Sequence, residues 1–172
     1  MSKKSSCNKK QKSIISNKSK DRHIESEEEK VLFPGESQCA KKQKIVVSEE
    51  SGKKHVVKNP HQHNIYQYHF DGGIKQKDDT SGERCDYIVE VSKKPKPIAF
   101  IIELKGSNLL KAVSQIIATI KYHQKQLKNY EIIPRIVCTY VTTQDIYDTR
   151  YIKFKEDYPQ ADQKAKTYID II

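Results

Sequence analysis

Glu103 and Lys105 lie two residues apart in the otherwise apolar run AFIIELKGS, Ala99 to Ser107. A strand turns alternate side chains to opposite faces, so Ile101, Glu103 and Lys105 share one face and Phe100, Ile102 and Leu104 the other. Buried charge is costly unless it is paired or holds an ion. The acid and the amine therefore either neutralise each other as a surface pair at a strand end, or form a site. The upstream run CDYIVEV, Cys85 to Val91, has the pattern of a neighbouring strand. Between them SKKPKP, Ser92 to Pro97, holds two prolines that a central strand would not accept, and reads as a hairpin connection. If that connection is symmetric, Val91 faces Ile98, Ile88 faces Ile101 and Asp86 faces Glu103. Opposed residues have Cβ atoms about 4.5–5.5 Å apart, and like charges so placed repel. A divalent cation would remove that penalty. A slip of one residue would put the two acids on opposite faces and remove the site.

The chemistry expected of this set is metal-assisted phosphodiester hydrolysis. Mg²⁺, with Mn²⁺ as the alternative, is held by one or two carboxylates and keeps several waters. Asp86 and Glu103 are the expected metal ligands, with the backbone carbonyl of Leu104 as a further one. The cation would polarise the scissile phosphate and activate a water. Lys105 would orient that water or stabilise charge in the transition state.

The surrounding pattern predicts the elements that position these groups. KIVVS (Lys44 to Ser48) and KHVVK (Lys54 to Lys58) read as short strands about a turn at Gly52. Tyr66, Tyr68 and Phe70 alternate with polar residues as a further strand, ended by Asp71-Gly72-Gly73. After Gly106 the period changes. Leu109, Leu110, Val113, Ile116, Ile117 and Ile120 recur at helical spacing, which predicts an amphipathic helix running to about Asn129, capped by Ser107 or Asn108. A helical projection sets Gln115 away from that apolar stripe. RIVCTYVTT (Arg135 to Thr143) is expected as a strand bounded by Pro134, and RYIKF (Arg150 to Phe154) as another, before a polar C-terminal tail. The expectation is an α/β fold, a mixed central sheet with flanking helices. A single domain would span residues 31–172, with its core near 61–143. Residues 1–30 are Lys-, Ser- and Asn-rich, then acidic, and too poor in apolar groups to offset the entropy of ordering, so a disordered tail is expected.

An Asp at the head of one strand, a short hairpin, and Glu-x-Lys on the next strand resemble the core of the PD-(D/E)XK nuclease superfamily. The resemblance covers about 65–143 and implies a restriction-endonuclease-like fold, Mg²⁺ dependence and cleavage of DNA, less often RNA. Asp86 matches the family's strand acid, and Glu103 and Lys105 its E-x-K pair. Gln115, on the following helix, resembles the glutamine that the exonuclease branch uses near its metal site. That branch has a Tyr four residues later, where this chain has Thr119, with Tyr122 one turn on. Many members also carry an acid on a helix before the sheet. Here the nearest acids are Glu49, Glu50 and Asp71, in a region without a helical pattern.

Charge and composition narrow the alternatives. The net charge is +10 and the pI about 9.3, which favours polyanionic partners, nucleic acid above all. Cys7, Cys39, Cys85 and Cys138 are widely spaced, with no C-x-x-C, and read as reduced thiols of a cytoplasmic protein. Cys85 and Cys138 fall in apolar strands as small core residues. His61, His63 and His69 with Asp71 lack the spacing of a zinc site. No phosphate-binding glycine loop occurs. No run approaches the roughly 20 apolar residues of a spanning helix, so no membrane is expected. A chain of this size has little room for its own sequence-reading module, so a homodimer or a targeting subunit is expected beside it. The competing expectation is a catalytically inactive nucleic-acid-binding or protein-interaction subunit on the same fold.

Overall fold

The computed structural model describes residues 31–34, 38–70 and 82–172. The strands are β1 (Gln38–Lys41), β2 (Ile45–Glu50), β3 (Lys53–Lys58), β4 (Asn64–His69), β5 (Tyr87–Ser92), β6 (Ile98–Leu104), β7 (Glu131–Cys138), β8 (Asp162–Ala165) and β9 (Thr167–Ile171). The helices are α1 (Leu109–Tyr122), α2 (Gln124–Leu127), α3 (Thr143–Tyr147) and α4 (Thr149–Asp157). A six-stranded mixed sheet in the order β1-β4-β5-β6-β7-β8 forms the centre, and a second sheet has the order β2-β3-β9. The fold is α/β.

Alternation along β6 explains the layering. Ala99 and Ile101 pack against Leu109, Ala112, Val113 and Ile116 of α1. Phe100, Ile102 and Leu104 point the other way, onto Val46, Val57 and Tyr168 of the three-stranded sheet. Every residue of β6 is buried, because both faces are covered. Its charged Glu103 thus lies in the interior. Tyr66, Tyr68 and Phe70 sit in the helix-side core, as their alternation predicts, and the free thiols Cys85 and Cys138 are buried there too.

Two polar clusters tie the layers together. Between the sheets, Arg135 Nε and Nη2 each donate to Asp170 at 2.8 Å, and His55 Nε2 lies 2.8 Å from the same carboxylate. On the helix side, buried Glu90 accepts from Tyr68 Oη at 2.8 Å, Tyr130 Oη at 2.7 Å and the Leu32 N–H at 2.9 Å.

Four expectations need correction. Residues 150–154 belong to helix α4 rather than to a strand. Tyr151 and Phe154, three apart, fall on one helical face and are both buried, and Asp148 caps the helix by accepting from the Arg150 N–H. The C-terminal segment is no tail, because it forms β8 and β9, each in parallel pairing. The long helix ends at Tyr122, and His123 separates it from α2. The strand expected from Arg135 starts at Glu131 and runs through Pro134. Along β7 the peptide groups of Val137 face β6 and those of Cys138 face β8, so alternation turns the Pro134 nitrogen toward β8. Pairing with β8 begins only at Arg135, so the missing N–H of Pro134 has no strand to serve. The tail expected over residues 1–30 lies outside the described residues. No helix among the described residues is long and apolar enough to cross a membrane.

Candidate metal and phosphodiester site

The hairpin between β5 and β6 has the register that the symmetric loop predicts. Ile88 pairs with Ile101 and Val91 with Ile98. Past β5 the register breaks: the Asp86 N–H donates at 3.1 Å to the carbonyl of Ile102, the residue that Tyr87 already pairs with. Asp86 and Tyr87 thus share one partner in a bulge, so the expected direct opposition of Asp86 and Glu103 is not formed, although the charge of Asp86 is felt at Glu103.

Each member of the pair is held differently. Asp86 is buried, and its Oδ2 accepts from the Leu104 N–H at 2.6 Å. A strand residue turns its N–H and C=O to the same side, so the Leu104 carbonyl faces the Asp86 side as well. Glu103 is fully buried, and neither of its carboxylate oxygens has a hydrogen bond. Lys105 places Nζ 3.3 Å from Glu103 Oε1, an ion pair whose ammonium end is 27% exposed. Burial, then the charge of Asp86, pushes the Glu103 carboxyl up to about 8, with Lys105 pulling it back and Glu50 adding to the rise. The pair is thus an under-neutralised buried acid beside a second acid, with a cation at the rim.

Helix α1 holds the segment that carries Asp86. Gln115 is buried, contrary to the projection that set it off the apolar stripe. Its Nε2 donates to the Arg84 carbonyl at 2.9 Å, and its Oε1 is buried without a partner. One turn on, Thr119 Oγ1 accepts from the Cys85 N–H at 2.8 Å. The two side chains fix the backbone immediately before Asp86. Gln115 lies on the right face of α1, but its contact is with this backbone rather than with the Asp86 or Glu103 carboxylate. The role of Thr119 had no sequence signal, since Thr inside a helix usually returns its hydroxyl to its own backbone.

The upstream acids divide. Asp71 lies outside the described residues. Glu49 pairs with Lys54 at 3.1 Å, and its backbone carbonyl accepts from Tyr87 Oη at 3.1 Å. Glu50 stands at the end of β2, exposed, with its charge felt at Glu103 and Tyr87. It comes from a strand of the second sheet, which no helical signal could reveal. His69 stacks on Tyr87 with ring centroids 4.7 Å apart, and the described residues contain no group of three or more His, Cys, Asp or Glu that could hold a metal ion. No protein-family model, curated protein or solved structure matches this chain.

Proposed function

We propose that this protein is a Mg²⁺-dependent nuclease with a restriction-endonuclease-like core, hydrolysing phosphodiester bonds in DNA in preference to RNA. The observation that carries the reading is the fully buried Glu103 carboxylate, which has no hydrogen bond and feels the charge of Asp86. A buried carboxylate balanced only by the partly exposed Lys105, with a second acid nearby, is costly unless it takes a further cation. The donor set fits a hard ion: two carboxylates and the Leu104 carbonyl, with water completing the shell.

Bound there, Mg²⁺ or Mn²⁺ would supply Lewis-acid polarisation of the scissile phosphate. The chain's own residues supply the rest. Lys105, anchored on Glu103 but partly exposed, is placed to donate to a phosphate oxygen and to stabilise the charge that develops there. The Leu104 N–H sets the orientation of the Asp86 carboxylate. Gln115 and Thr119 hold Asp86 in place as positioning residues. The buried thiols Cys85 and Cys138 suit a reducing cytoplasm.

The test is cleavage of linear, circular and single-stranded DNA and of RNA, with Mg²⁺ or with EDTA. Wild type is compared with equally folded Glu103→Ala and Lys105→Ala. Mg²⁺-dependent cutting that both substitutions abolish is the expected result. Salt-sensitive binding with no cutting of any substrate would instead support an inactive nucleic-acid-binding subunit.

A further inference from the structure

Lys53 is the unexpected cation of this fold. It opens β3 on the inward-facing set with His55 and Val57 and is only 9% exposed. Its ammonium makes one hydrogen bond, 2.9 Å to the Ser51 carbonyl of its own turn. Among the described residues no carboxylate lies within ion-pair distance of it. Its neighbour Lys54 is paired with Glu49. Glu50 is the cross-strand partner of Lys53 in register, yet it too stays beyond ion-pair reach. An ammonium has three donors, and a buried cation without a counter-charge is as costly as a buried acid without one.

The backbone places this cation at the same edge as the candidate site. The Lys105 N–H donates to the Val137 carbonyl at 2.8 Å, the Lys166 N–H to the Cys138 carbonyl at 2.9 Å, and the Lys54 N–H to the Lys166 carbonyl at 3.0 Å. These bonds form a continuous path from the end of β6 across the ends of β7 and β8 to the start of β3. The Cys138 thiol, on that path, feels the charges of both Glu103 and Lys53. Lys105 emerges on the helix side of the central sheet and Lys53 on the other side. A strand of nucleic acid crossing this edge would meet both. The turn that presents Lys53 is well defined. Ser51 and Gly52 have φ of 48° and 74°, the type I′ geometry that matches the twist of a two-residue hairpin.

From this arrangement we infer that Lys53 binds a backbone phosphate of the substrate strand beside the one acted on at Glu103 and Lys105, so that the β2–β3 turn forms a wall of the nucleic-acid site. The inference rests on the nuclease reading for its substrate class. Lys53 serves here as a substrate-positioning residue.

The experiment measures binding of the full chain to a short fluorescent DNA duplex in EDTA across a salt series, and Mg²⁺-dependent cleavage of the same duplex. The variants are Lys53→Met, Glu103→Gln and, as a control, Lys58→Met at the exposed far end of β3. Loss of one phosphate contact lowers the slope of log affinity against log salt by about 0.9. Lys53→Met is expected to show that drop, to raise KM with little change in kcat, and to keep or raise the melting temperature. Lys58→Met should keep the wild-type slope. If wild type cuts DNA while Lys53→Met binds and cuts as wild type does, Lys53 has no such role and the nuclease reading stands. An equal slope change in Lys58→Met would also overturn the assignment, since any lysine would then do. If wild type binds but cuts no better than Glu103→Gln, the nuclease reading fails and the slope alone decides the phosphate contact. Absence of DNA binding by wild type overturns both.

Discussion

Glu103 is a carboxyl whose environment favours the proton. Burial and Asp86 raise it to about 8 from an ordinary 4.5, so the folded protein holds that proton over a pH range in which the unfolded chain has lost it. The stability it confers is complete below 4.5 and is lost as pH rises through about 8. A cation must displace the same proton, so its affinity should climb with pH up to that value and then level off. Isothermal titration of Mg²⁺ or Mn²⁺ at several pH values checks this, with proton release measured by changing the buffer. An affinity independent of pH would exclude Glu103 as a ligand. Glu103→Gln should abolish cutting, raise the melting temperature of the metal-free protein above pH 8, and remove any further rise on adding Mg²⁺. The E-x-K spacing and the hairpin connection made this residue legible, because both depend on period and register. Lys53 was not legible: the alternation of Lys53, His55 and Val57 is visible in the sequence, but the second sheet that gives it an inside and an outside is not.

At the scale of elements, α1 acts as the clamp on Asp86. Thr119→Val keeps the shape of the side chain but leaves the buried Cys85 N–H without its acceptor, which costs about 1–3 kcal/mol. Denaturant titration should detect that loss, and the cleavage rate at saturating Mg²⁺ should fall more than Lys58→Met lowers it. Retention of full activity would mean that Asp86 needs no such support. The Glu90 hub makes a parallel case. Tyr130→Phe removes one of its donors from the turn after α2, and should also cost about 1–3 kcal/mol in urea unfolding without touching the chemistry at Glu103. The apolar stripe predicted α1 because its period is strong. It missed the place of Gln115 because a buried amide that bonds to a neighbouring backbone looks polar in projection. In β9 the pattern is inverted: Tyr168 and Asp170 face the core region while Ile169 and Ile171 are exposed. An inward carboxylate matched by Arg135 cannot be recognised before its partner strand is known, so the segment reads as a tail.

For the molecule as a whole, the join between its two sheets is electrostatic as well as apolar. Burial depresses His55, and although Asp170 opposes this, the imidazole stays below its ordinary 6.5. Burial works against the Asp170 carboxylate, but hydrogen bonds from His55 and Arg135 outweigh it and hold that group below its usual range. Both shifts have the same sign for stability: the contribution is present above the ordinary values and is lost as pH falls through the folded ones. Melting temperature should therefore decline on acidification below pH 6.5, and His55→Gln should flatten the first part of that decline. An unchanged profile would show that the imidazole is not the group responsible. The α/β class and the β5–β6–α1 core were readable from local periods, whereas the second sheet was not, because it pairs β3 with β9 across most of the chain. That pairing has a consequence for synthesis on the ribosome. The hairpin of β2 and β3 emerges early with Val46 and Val57 uncovered, and its parallel neighbour is made only when translation reaches Thr167. Through that interval the nascent chain presents an open sheet edge, a natural point of engagement for a chaperone, and the wall that carries Lys53 is among the last parts of the molecule to set.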